Sequence, residues 1–520
     1  PTHPLPYGRT AVRPFLVQAH SSAPLPTPMD FALALDPHSP LPYYQQIYEA
    51  LRQAILTGRL SARQRLPSTR ALATSLGVSR ATVTQSYDQL LSEGYLQTVV
   101  GSGTYVCDQL PDDLLHSPAP EIASIPPSPP LSLSAYGCQL VDFADSPTPE
   151  PAAQISFRYG RPALDRFPLD LWRQLLLRHC RRGDWLDYAT DPMGYWPLRE
   201  AIATYLSKAR AVHCQPDRIL ITNGTQQALD LATRVLVGAG DAIALEEPSY
   251  LSARRVFTSQ GAILHPIPVD ESGLDVDKLA QVTAPIRLVY VTPSHQFPTG
   301  AVLSLPRRLA LLAWAQQCGS LIFEDDYDSE YRYTGRPIPA LQGLGNGQSV
   351  IYVGTFSKVL FPSLRVGYMV LPPALVPLFR RAKWLSDRQV PGLEQAVLAD
   401  FIAEGHLERH IRRMRSLYDQ RCQTLVTALT QHFGHRITIL GENAGLHLMV
   451  RFHTTIPDAD LVAKAAEVGV GLISASPQYQ GHSPGHEFIF SYAELDEAAI
   501  AIGIQRLANL SFLGNEVTKN

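Results

Sequence analysis

The residues best suited to covalent chemistry lie in the stretch 351–369, which reads IYVGTFSKVLFPSLRVGYM. An apolar run leads into a Gly-Thr-Phe-Ser turn, Lys358 follows at once, and Arg365 comes seven residues later. A lysine at the end of a buried strand is partly desolvated, which lowers its pKa and makes its amine nucleophilic. The hydroxyls of Thr355 and Ser357 and the guanidinium of Arg365 suit a phosphate group. This layout predicts a Schiff base between Lys358 and pyridoxal phosphate, although a Ser-Lys pair alone is also typical of a solvated lysine.

A second polar cluster ends a strand-like run 33 residues before Lys358. The apolar residues 321–323 lead into Glu324-Asp325-Asp326-Tyr327. Pyridoxal chemistry requires an acid that keeps the pyridine nitrogen protonated, because only the pyridinium withdraws electrons strongly. We expect Asp325 to be that acid and Tyr327 to hydrogen-bond the phenolic oxygen of the ring.

With these two stretches, the sequence resembles the fold-type-I aminotransferases, and specifically the aminotransferase-like domain of MocR-type regulators in the GntR superfamily. That group carries an Asp-Asp-Tyr-Asp and a Ser-Lys…Pro-Ser-Leu-Arg stretch at this separation. Thr222–Ala228 is similar to the aminotransferase phosphate loop. Its Gly224, Thr225 and Gln226 would offer a close approach, a hydroxyl and helix amides to an anion. Tyr250 matches the aromatic residue that stacks on the pyridine ring.

The resemblance also bears on hydrogen bonding and assembly. Ordinary aminotransferases carry Asn directly before Pro-Thr-Gly, and this chain has Phe297 there. The usual hydrogen bond to the ring oxygen is therefore missing, or it is supplied by His295 or Gln296. Tyr188 matches a tyrosine that enters the neighbouring subunit's phosphate site in fold-type-I dimers, which implies a homodimer.

The chain departs from amino-acid-handling relatives where they bind a carboxylate. Their arginine lies in an Arg-Leu-Gly-Phe-Ala-like strand, but residues 489–493 read Ile-Phe-Ser-Tyr-Ala. A second arginine, used by some relatives just after the stacking tyrosine, is replaced by Leu-Ser-Ala at 251–253. A buried carboxylate without a cation is costly. Either Arg161, Arg451 or His447 substitutes, or the effector is not a standard α-amino acid.

These side chains need a scaffold that brings several strand ends together. Beyond Ile155, apolar runs alternate with helix-length segments; the runs are 218–222, 242–245, 262–267, 287–292, 321–324, 350–354 and 367–371. Such alternation predicts an α/β domain with a mostly parallel central sheet flanked by helices. Ligands of such sheets lie beyond the carboxyl ends of the strands. The resemblance implies a small subdomain over about 395–510.

A different pattern covers residues 40–106. Apolar periodicity predicts a helix over Tyr43–Leu56, and a short helix capped by Pro67-Ser68-Thr69 turns at Gly77 into a third helix. Two short helices joined in this way form a helix-turn-helix. Residues 96–106 alternate around Gly-Ser-Gly, which predicts a β-hairpin wing. Six arginines and no carboxylate lie between Arg52 and Arg80, so this face is able to neutralise phosphates.

The run 66–83 resembles the GntR winged helix-turn-helix, with the Gly-Ser-Gly-Thr-Tyr-Val wing at the expected place. We therefore predict binding to a double-stranded DNA operator. Arg80, at the start of the second helix of the motif, is the best candidate for contact with guanine or phosphate. The full predicted set is Arg52, Arg65, Ser68, Thr69, Arg70, Ser79, Arg80, Thr82, Thr84 and Gly103.

Length and composition set the domain organisation. A chain of 520 residues predicts at least two domains, and its net charge of −3 confines nucleic-acid binding to a local patch. The six cysteines lack CxxC or metal spacing, and no apolar run reaches the roughly 18 residues of a membrane span. We expect a cytoplasmic protein with four segments: a disordered extension (1–35), a winged helix-turn-helix (36–107), a Pro-rich linker (108–153) and a pyridoxal phosphate domain (154–520). Met29 is an alternative start. The prolines of the linker should prevent it from forming a helix or a central strand.

Together these features predict a one-component transcription regulator and not primarily an enzyme. Its aminotransferase-like domain would sense pyridoxal phosphate, an amine or an amino acid through an internal aldimine, and the bound effector would reposition the DNA-binding domains. The alternative is an active aminotransferase with an attached helix-turn-helix domain. The missing arginines count against efficient turnover, since transamination needs a well-held substrate carboxylate.

Overall fold

The computed structural model describes residues 33–112, 132–141, 143, 153–181, 185, 187, 191–333, 338–345 and 347–510. The chain divides into two compact units, Pro1–Leu131 and Ser132–Asn520. Tyr188 and most of the predicted N-terminal extension lie outside the described residues. None of the helices in the described ranges is both long enough and apolar enough to cross a membrane.

The first unit consists of three helices and a hairpin: α1 (Tyr43–Leu56), α2 (Thr69–Leu76), α3 (Arg80–Ser92), β1 (Leu96–Val99) and β2 (Gly103–Val106). Side-chain caps fix the starts of α2 and α3. The Ser68 hydroxyl accepts a hydrogen bond from the Ala71 amide at 3.2 Å, and Ser79 accepts one from the Thr82 amide at 3.1 Å. Gly77 ends α2 in the left-handed conformation. The predicted helix-turn-helix and wing are confirmed.

The second unit alternates strands and helices along most of its length. Its helices are α4 (Ala135–Val141), α5 (Leu169–Cys180), α6 (Trp196–Arg210), α7 (Thr225–Leu236), α8 (Leu251–Ser259), α9 (Val276–Ala280), α10 (Leu305–Cys318), α11 (Leu341–Leu344), α12 (Val376–Ser386), α13 (Gly392–Ala403), α14 (His406–Phe433), α15 (Asp458–Glu467) and α16 (Glu497–Ala508). Its strands are β3 (Ile155–Ser156), β4 (Ile219–Thr222), β5 (Ala242–Glu247), β6 (Ile263–Asp270), β7 (Gly273–Leu274), β8 (Ile286–Val291), β9 (Leu321–Asp326), β10 (Val350–Thr355), β11 (Gly367–Val370), β12 (Ile437–Leu440), β13 (His447–Phe452), β14 (Val470–Gly471), β15 (Ile473–Ser474) and β16 (Glu487–Ser491).

An eight-stranded sheet in the order β4-β11-β10-β9-β8-β5-β6-β7 forms the centre of this unit. Only β11 and β7 run antiparallel to their neighbours. Helices cover both faces of the sheet, so alternate residues of one strand enter different cores. Leu288 and Tyr290 pack on one side, and Val289 and Val291 pack on the other. The predicted α/β class and mostly parallel sheet are confirmed. The carboxyl ends of β4, β5, β8, β9 and β10 meet at one edge.

A smaller, antiparallel sheet, β12-β13-β16-β15, forms a separate core with α14 and α16. This small core also includes Ile155 and Phe157 from the beginning of the unit, since β3 pairs with β14. Helix α13 packs instead in the core beside the large sheet, and on α14 the small core begins at Met414. The small core therefore draws on both ends of the unit, whereas the sequence placed it wholly after about residue 395.

Helix α4 lies inside the stretch that we expected to be too rich in proline for a helix. That expectation is wrong here because the segment 132–143 contains no proline. The α4 residue Tyr136 borders a surface pocket together with Asn223, Gln226 and Arg365. The prolines of the linker lie before and after this helix.

Candidate functional site

A cavity lies at the carboxyl edge of the large sheet, where the loops after the parallel strands converge. It collects side chains that are far apart in the sequence. The predicted site residues that line it are Thr225, Gln226, Tyr250, Asp325, Tyr327, Thr355, Ser357, Lys358 and Arg365. Of the other predicted site residues, Gly224 and His295 lie just behind this lining, and Tyr188 lies outside the described residues.

Asp325 closes the inner end of the cavity. One of its carboxylate oxygens accepts a hydrogen bond from the Tyr290 hydroxyl at 2.8 Å, while the other, Oδ1, is buried and has no partner among the described residues. Burial is the largest of the effects that together raise the pKa of Asp325 to about 7; Asp326 adds to it, while the Tyr290 hydrogen bond and Lys358 act in the opposite direction. An orphaned acceptor with a raised pKa fits a cationic N–H donor such as a pyridinium nitrogen.

The opposite end of the cavity is arranged for an anion. Gly224 precedes α7 with φ 78°, and a Cβ built on it would lie 2.9 Å from the guanidinium of Arg365. Arg365 donates to the Asn223 carbonyl at 2.9 Å. The Ser357 hydroxyl is buried without a partner among the described residues. Helix amides, an arginine and a free hydroxyl together form a phosphate cradle.

Lys358 lies between these two ends. Its Nζ donates to the Gly160 carbonyl at 2.9 Å. Burial lowers the pKa of Lys358, partly offset by the carboxylates of Asp328 and Asp325. A desolvated amine with a lowered pKa is suited to attack a carbonyl carbon.

The structure places His295 and Gln296 behind the cavity wall, and neither of them lines the cavity. Gln296 donates to the carbonyls of Pro248 and Phe297, both at 2.7 Å. His295 Nδ1 lies 3.0 Å from an Asp328 oxygen and 3.1 Å from the Tyr327 hydroxyl. Since the carboxylate only accepts, Nδ1 carries the proton, and the Tyr327 O–H is left free to donate into the cavity. Tyr327 lines the cavity and contacts His295, and its bond to the ring oxygen stays a prediction.

Of the three candidates for binding a carboxylate (Arg161, Arg451 and His447), one lines the cavity and two do not. Arg161 pairs with Glu494 at 3.5 Å, and Arg451 pairs with Glu487 at 2.6 Å; neither lines the cavity. His447 does line it, and its Nε2 donates to the Pro298 carbonyl at 3.2 Å.

Sequence reasoning missed several residues of this site. Tyr290 orients Asp325 from within an apolar strand, and Tyr159 and Gly160 reach the cavity from the segment after β3. A hydroxyl one residue before the end of β8 was the available signal for Tyr290. The sequence carried no such signal for Tyr159 or Gly160, because neither follows a strand of the large sheet.

In the first unit, most predicted DNA contacts form an exposed or partly exposed set around the helix-turn-helix and the wing. Arg80 is exposed at the start of α3, and its Nε donates to the Thr69 hydroxyl at 3.3 Å. Arg70 is exposed on α2. Arg65 lies against Gly103 of the wing, where an added Cβ would come within 2.9 Å of its Nε. Ser68, Ser79 and Thr82 take part in the helix caps, and Thr84 is half-buried on α3.

Arg52 differs from this set. Its guanidinium donates to the Tyr95 hydroxyl at 2.9 Å and to Asp112 at 3.2 Å. Asp108 likewise pairs with Arg63 at 2.6 Å. Two of the six arginines are therefore partnered by carboxylates from the start of the predicted linker. Arg52 is partly buried in these contacts, and its contact with DNA stays a prediction.

Comparisons with known proteins give a match for each of the two units. Residues 155–507 match the family described as aminotransferase class I and II, and residues 43–106 match the bacterial regulatory proteins of the gntR family. The chain is 40% identical to the probable rhizopine catabolism regulatory protein MocR of Rhizobium meliloti, over 93% of this chain and 96% of that protein. It is 31% identical to the HTH-type pyridoxine biosynthesis transcriptional regulator PdxR of Corynebacterium glutamicum, over 93% of this chain and 99% of that protein.

Among solved structures, the α-aminoadipate aminotransferase LysN of Thermus thermophilus is similar with a TM-score of 0.64 and 31% identity, covering 69% of this chain and 92% of that one. Its structure contains N-(5'-phosphopyridoxyl)-L-leucine. The kynurenine aminotransferase of Pyrococcus horikoshii gives a TM-score of 0.65 at 29% identity, over 70% of this chain and 92% of that one.

The fold and the two sites thus define a protein that joins a GntR-type winged helix-turn-helix to an aminotransferase-like domain. The cofactor of that domain is pyridoxal phosphate, and the orphaned atoms of Asp325 and Ser357 fit its ring nitrogen and its phosphate. The chain belongs to the MocR-type subfamily of GntR transcription regulators.

Proposed function

We propose that this chain controls transcription by binding DNA through its first unit and an effector at the cofactor site of its second unit. The observation that carries the proposal is the cavity in which a desolvated Lys358 amine lies between the orphaned acceptor of Asp325 and the phosphate cradle at Arg365. When bound, pyridoxal phosphate supplies an electron-poor carbonyl that reacts with amines. Amine-responsive chemistry and a DNA-binding domain are thereby joined in one chain.

Each residue of the site has a distinct part in this proposal. Lys358 would be the point of covalent attachment, and Asp325 would hold a proton at the ring nitrogen. Tyr250 would contact the ring, and Tyr327 would donate to its phenolic oxygen. Thr225, Gln226, Thr355, Ser357 and Arg365 would hold the phosphate, and Gly224 gives Arg365 room beside the loop. The effector must bind the DNA-competent and DNA-incompetent states with different affinity, because only a differential interaction shifts their equilibrium.

The assembly and the location belong to the same proposal. We propose a homodimer in which Tyr188 reaches the phosphate site of the neighbouring subunit, and we place the protein in the cytoplasm, with its operator DNA. Light scattering of the intact protein and of Tyr188→Phe, together with the cofactor affinity of both, tests the dimer.

Covalent attachment at Lys358 is the first test. The protein is loaded with pyridoxal phosphate, reduced with borohydride and digested, and the modified peptide is located by mass spectrometry. Lys358→Ala should lose the adduct and the visible absorbance band while keeping its unfolding midpoint, because the lysine makes one hydrogen bond to the rest of the chain. Lys278→Ala, an exposed lysine on α9, is the matched control and should keep the adduct. An unchanged band in Lys358→Ala contradicts the assignment.

An active aminotransferase is the second candidate. The 2-aminoadipate transaminase of Thermus thermophilus, 32% identical over 68% of this chain, favours it. The two candidates are separated by measuring multiple turnovers with an amino acid and a keto acid beside salt-dependent binding to the chain's own upstream DNA. Rapid turnover without DNA binding supports the enzyme, and DNA binding with at most one turnover supports the regulator.

A further inference from the structure

The wall of the cavity that faces the small core is aromatic. Phe297 is its centre, with ring centroids 5.0 Å from Tyr159, 5.7 Å from Tyr250 and 5.3 Å from His447. Behind this ring, Phe297 packs with Met449, Ala475 and Ile489 in one buried apolar cluster. A ligand that projects from Lys358 toward the small core therefore meets these rings and the side chain of Leu446.

The described residues supply no cation to this wall. Among the described residues, the cations that line the cavity are Lys358 and Arg365, and the proposed function assigns them to the cofactor's carbonyl and phosphate. Arg161 and Arg451 are paired with glutamates elsewhere, and Arg254 of α8 donates to the Pro477 carbonyl. Ile489, at the strand position where the resemblance places an arginine, is fully buried in the apolar cluster.

His447 does not replace the missing cation. Burial holds its pKa well below the usual range, and the neighbouring His295 lowers it further, so the ring is neutral near pH 7. With Nε2–H donated to Pro298, its Nδ1 is left as an acceptor. An acceptor on this wall repels a carboxylate, and it accepts a hydrogen bond from an N–H or O–H group.

We infer that the effector compartment between Lys358 and His447 binds a small primary amine that carries no carboxylate. The inference rests on the proposed function, because the requirement for a primary amine comes from the cofactor's carbonyl. Aromatic faces favour apolar or cationic groups, whereas a carboxylate buried here would lose its hydration without gaining a partner. Leaving a buried charge unpaired costs enough to weaken binding by about 100-fold or more.

Matched pairs of ligands test the inference on the full-length protein loaded with cofactor. The pairs are phenethylamine with phenylalanine, which differ by an α-carboxylate, and butylamine with 4-aminobutanoate, which differ by a terminal one. Two readouts are followed: the visible absorbance of the bound cofactor, and the shift of the unfolding midpoint. We expect each decarboxylated amine to half-saturate at a concentration about 100-fold below that of its partner.

A substitution that restores a cation supplies the complementary test. In Ile489→Arg, the ratio of half-saturating concentrations between the amino acid and the amine should fall by about tenfold or more in at least one pair. Ile489→Met, of similar length and without charge, should leave this ratio unchanged. If Ile489→Arg does not fold, the titrations of the unaltered protein still decide the matter.

The outcomes separate this inference from the proposed function. Equal or tighter binding of either amino acid, or no response to any of the four ligands, overturns the inference while cofactor attachment at Lys358 and DNA binding stand. Loss of cofactor attachment or of DNA binding in the unaltered protein overturns the proposed function itself.

Discussion

Asp325→Asn should stabilise the cofactor-free protein and weaken cofactor binding. Asp325 is buried with one oxygen unpartnered, and burial raises its pKa from 3.8 to about 7. Each pKa unit corresponds to about 1.4 kcal/mol, so at pH 8 the ionised carboxylate costs the folded state up to about 4 kcal/mol. Asn has no charge to bury and keeps an oxygen for the Tyr290 hydroxyl, so it removes most of this cost.

The gain in stability depends on pH with a defined sign. The folded-state pKa lies above the unfolded one, so the folded protein binds more protons and loses stability as pH rises from about 4 through about 7. The advantage of Asn should therefore be largest at pH 8, fall to about 2 kcal/mol at pH 5 and vanish below about pH 4. Unlike the stability, the affinity of Asp325→Asn for the cofactor should decrease, by about tenfold or more, because the ring nitrogen would lose its anionic partner.

Tryptophan fluorescence during urea unfolding is a suitable assay, since all five tryptophans lie in the second unit and the signal is not mixed with the first. Asp326→Asn is the matched control. Asp326 pairs with the buried Arg210 at 2.8 Å, so its removal should destabilise the unit by about 3–5 kcal/mol. A less stable Asp325→Asn protein at pH 8, or a difference that does not vary with pH, would refute the reasoning.

Four further substitutions test other parts of the structure. Arg80→Ala should weaken operator binding by about 1–3 kcal/mol, measured by fluorescence anisotropy. Arg52→Ala should instead lower the unfolding midpoint of the first unit, because it breaks the contacts with Tyr95 and Asp112. Lost DNA binding in Arg52→Ala with a lower unfolding midpoint in Arg80→Ala would contradict both assignments. Tyr327→Phe removes the donor to the ring oxygen and should raise the pH at which the visible band of the loaded protein titrates; an unchanged titration would exclude Tyr327 as that donor. Gly224→Ala places a Cβ 2.9 Å from Arg365 at a left-handed φ, so cofactor affinity, measured by dialysis, should fall by about tenfold, and full affinity would show that the loop adapts.

The fold and the reactive ends of the site could be predicted from the sequence because they depend on local order along the chain. Apolar runs that end in polar residues marked β9 with Asp325 and β10 with Lys358, and parallel strands bring such ends to one edge. Capping serines marked the starts of α2 and α3 in the same way. Periodicity and the order of strand ends survive folding unchanged, so the predicted fold is confirmed and Asp325 and Lys358 line one cavity.

Features that depend on distant partners could not be predicted. The acids that occupy Arg52 and Arg63 come from positions 112 and 108, well beyond the arginine-rich run. The choice among Arg161, Arg451 and His447 required knowing which of them already had a glutamate beside it. Helix α4 was missed for a different reason, since averaging composition over a long Pro-rich stretch concealed a short proline-free segment.

The cavity has its opposing sides rooted in different cores, with Lys358 following a strand of the large sheet and His447 beginning a strand of the small one. Close-packed cores resist compression, so an occupant too bulky for the gap would move one core relative to the other before it compressed either. The size of the occupant would then set the angle between the two cores.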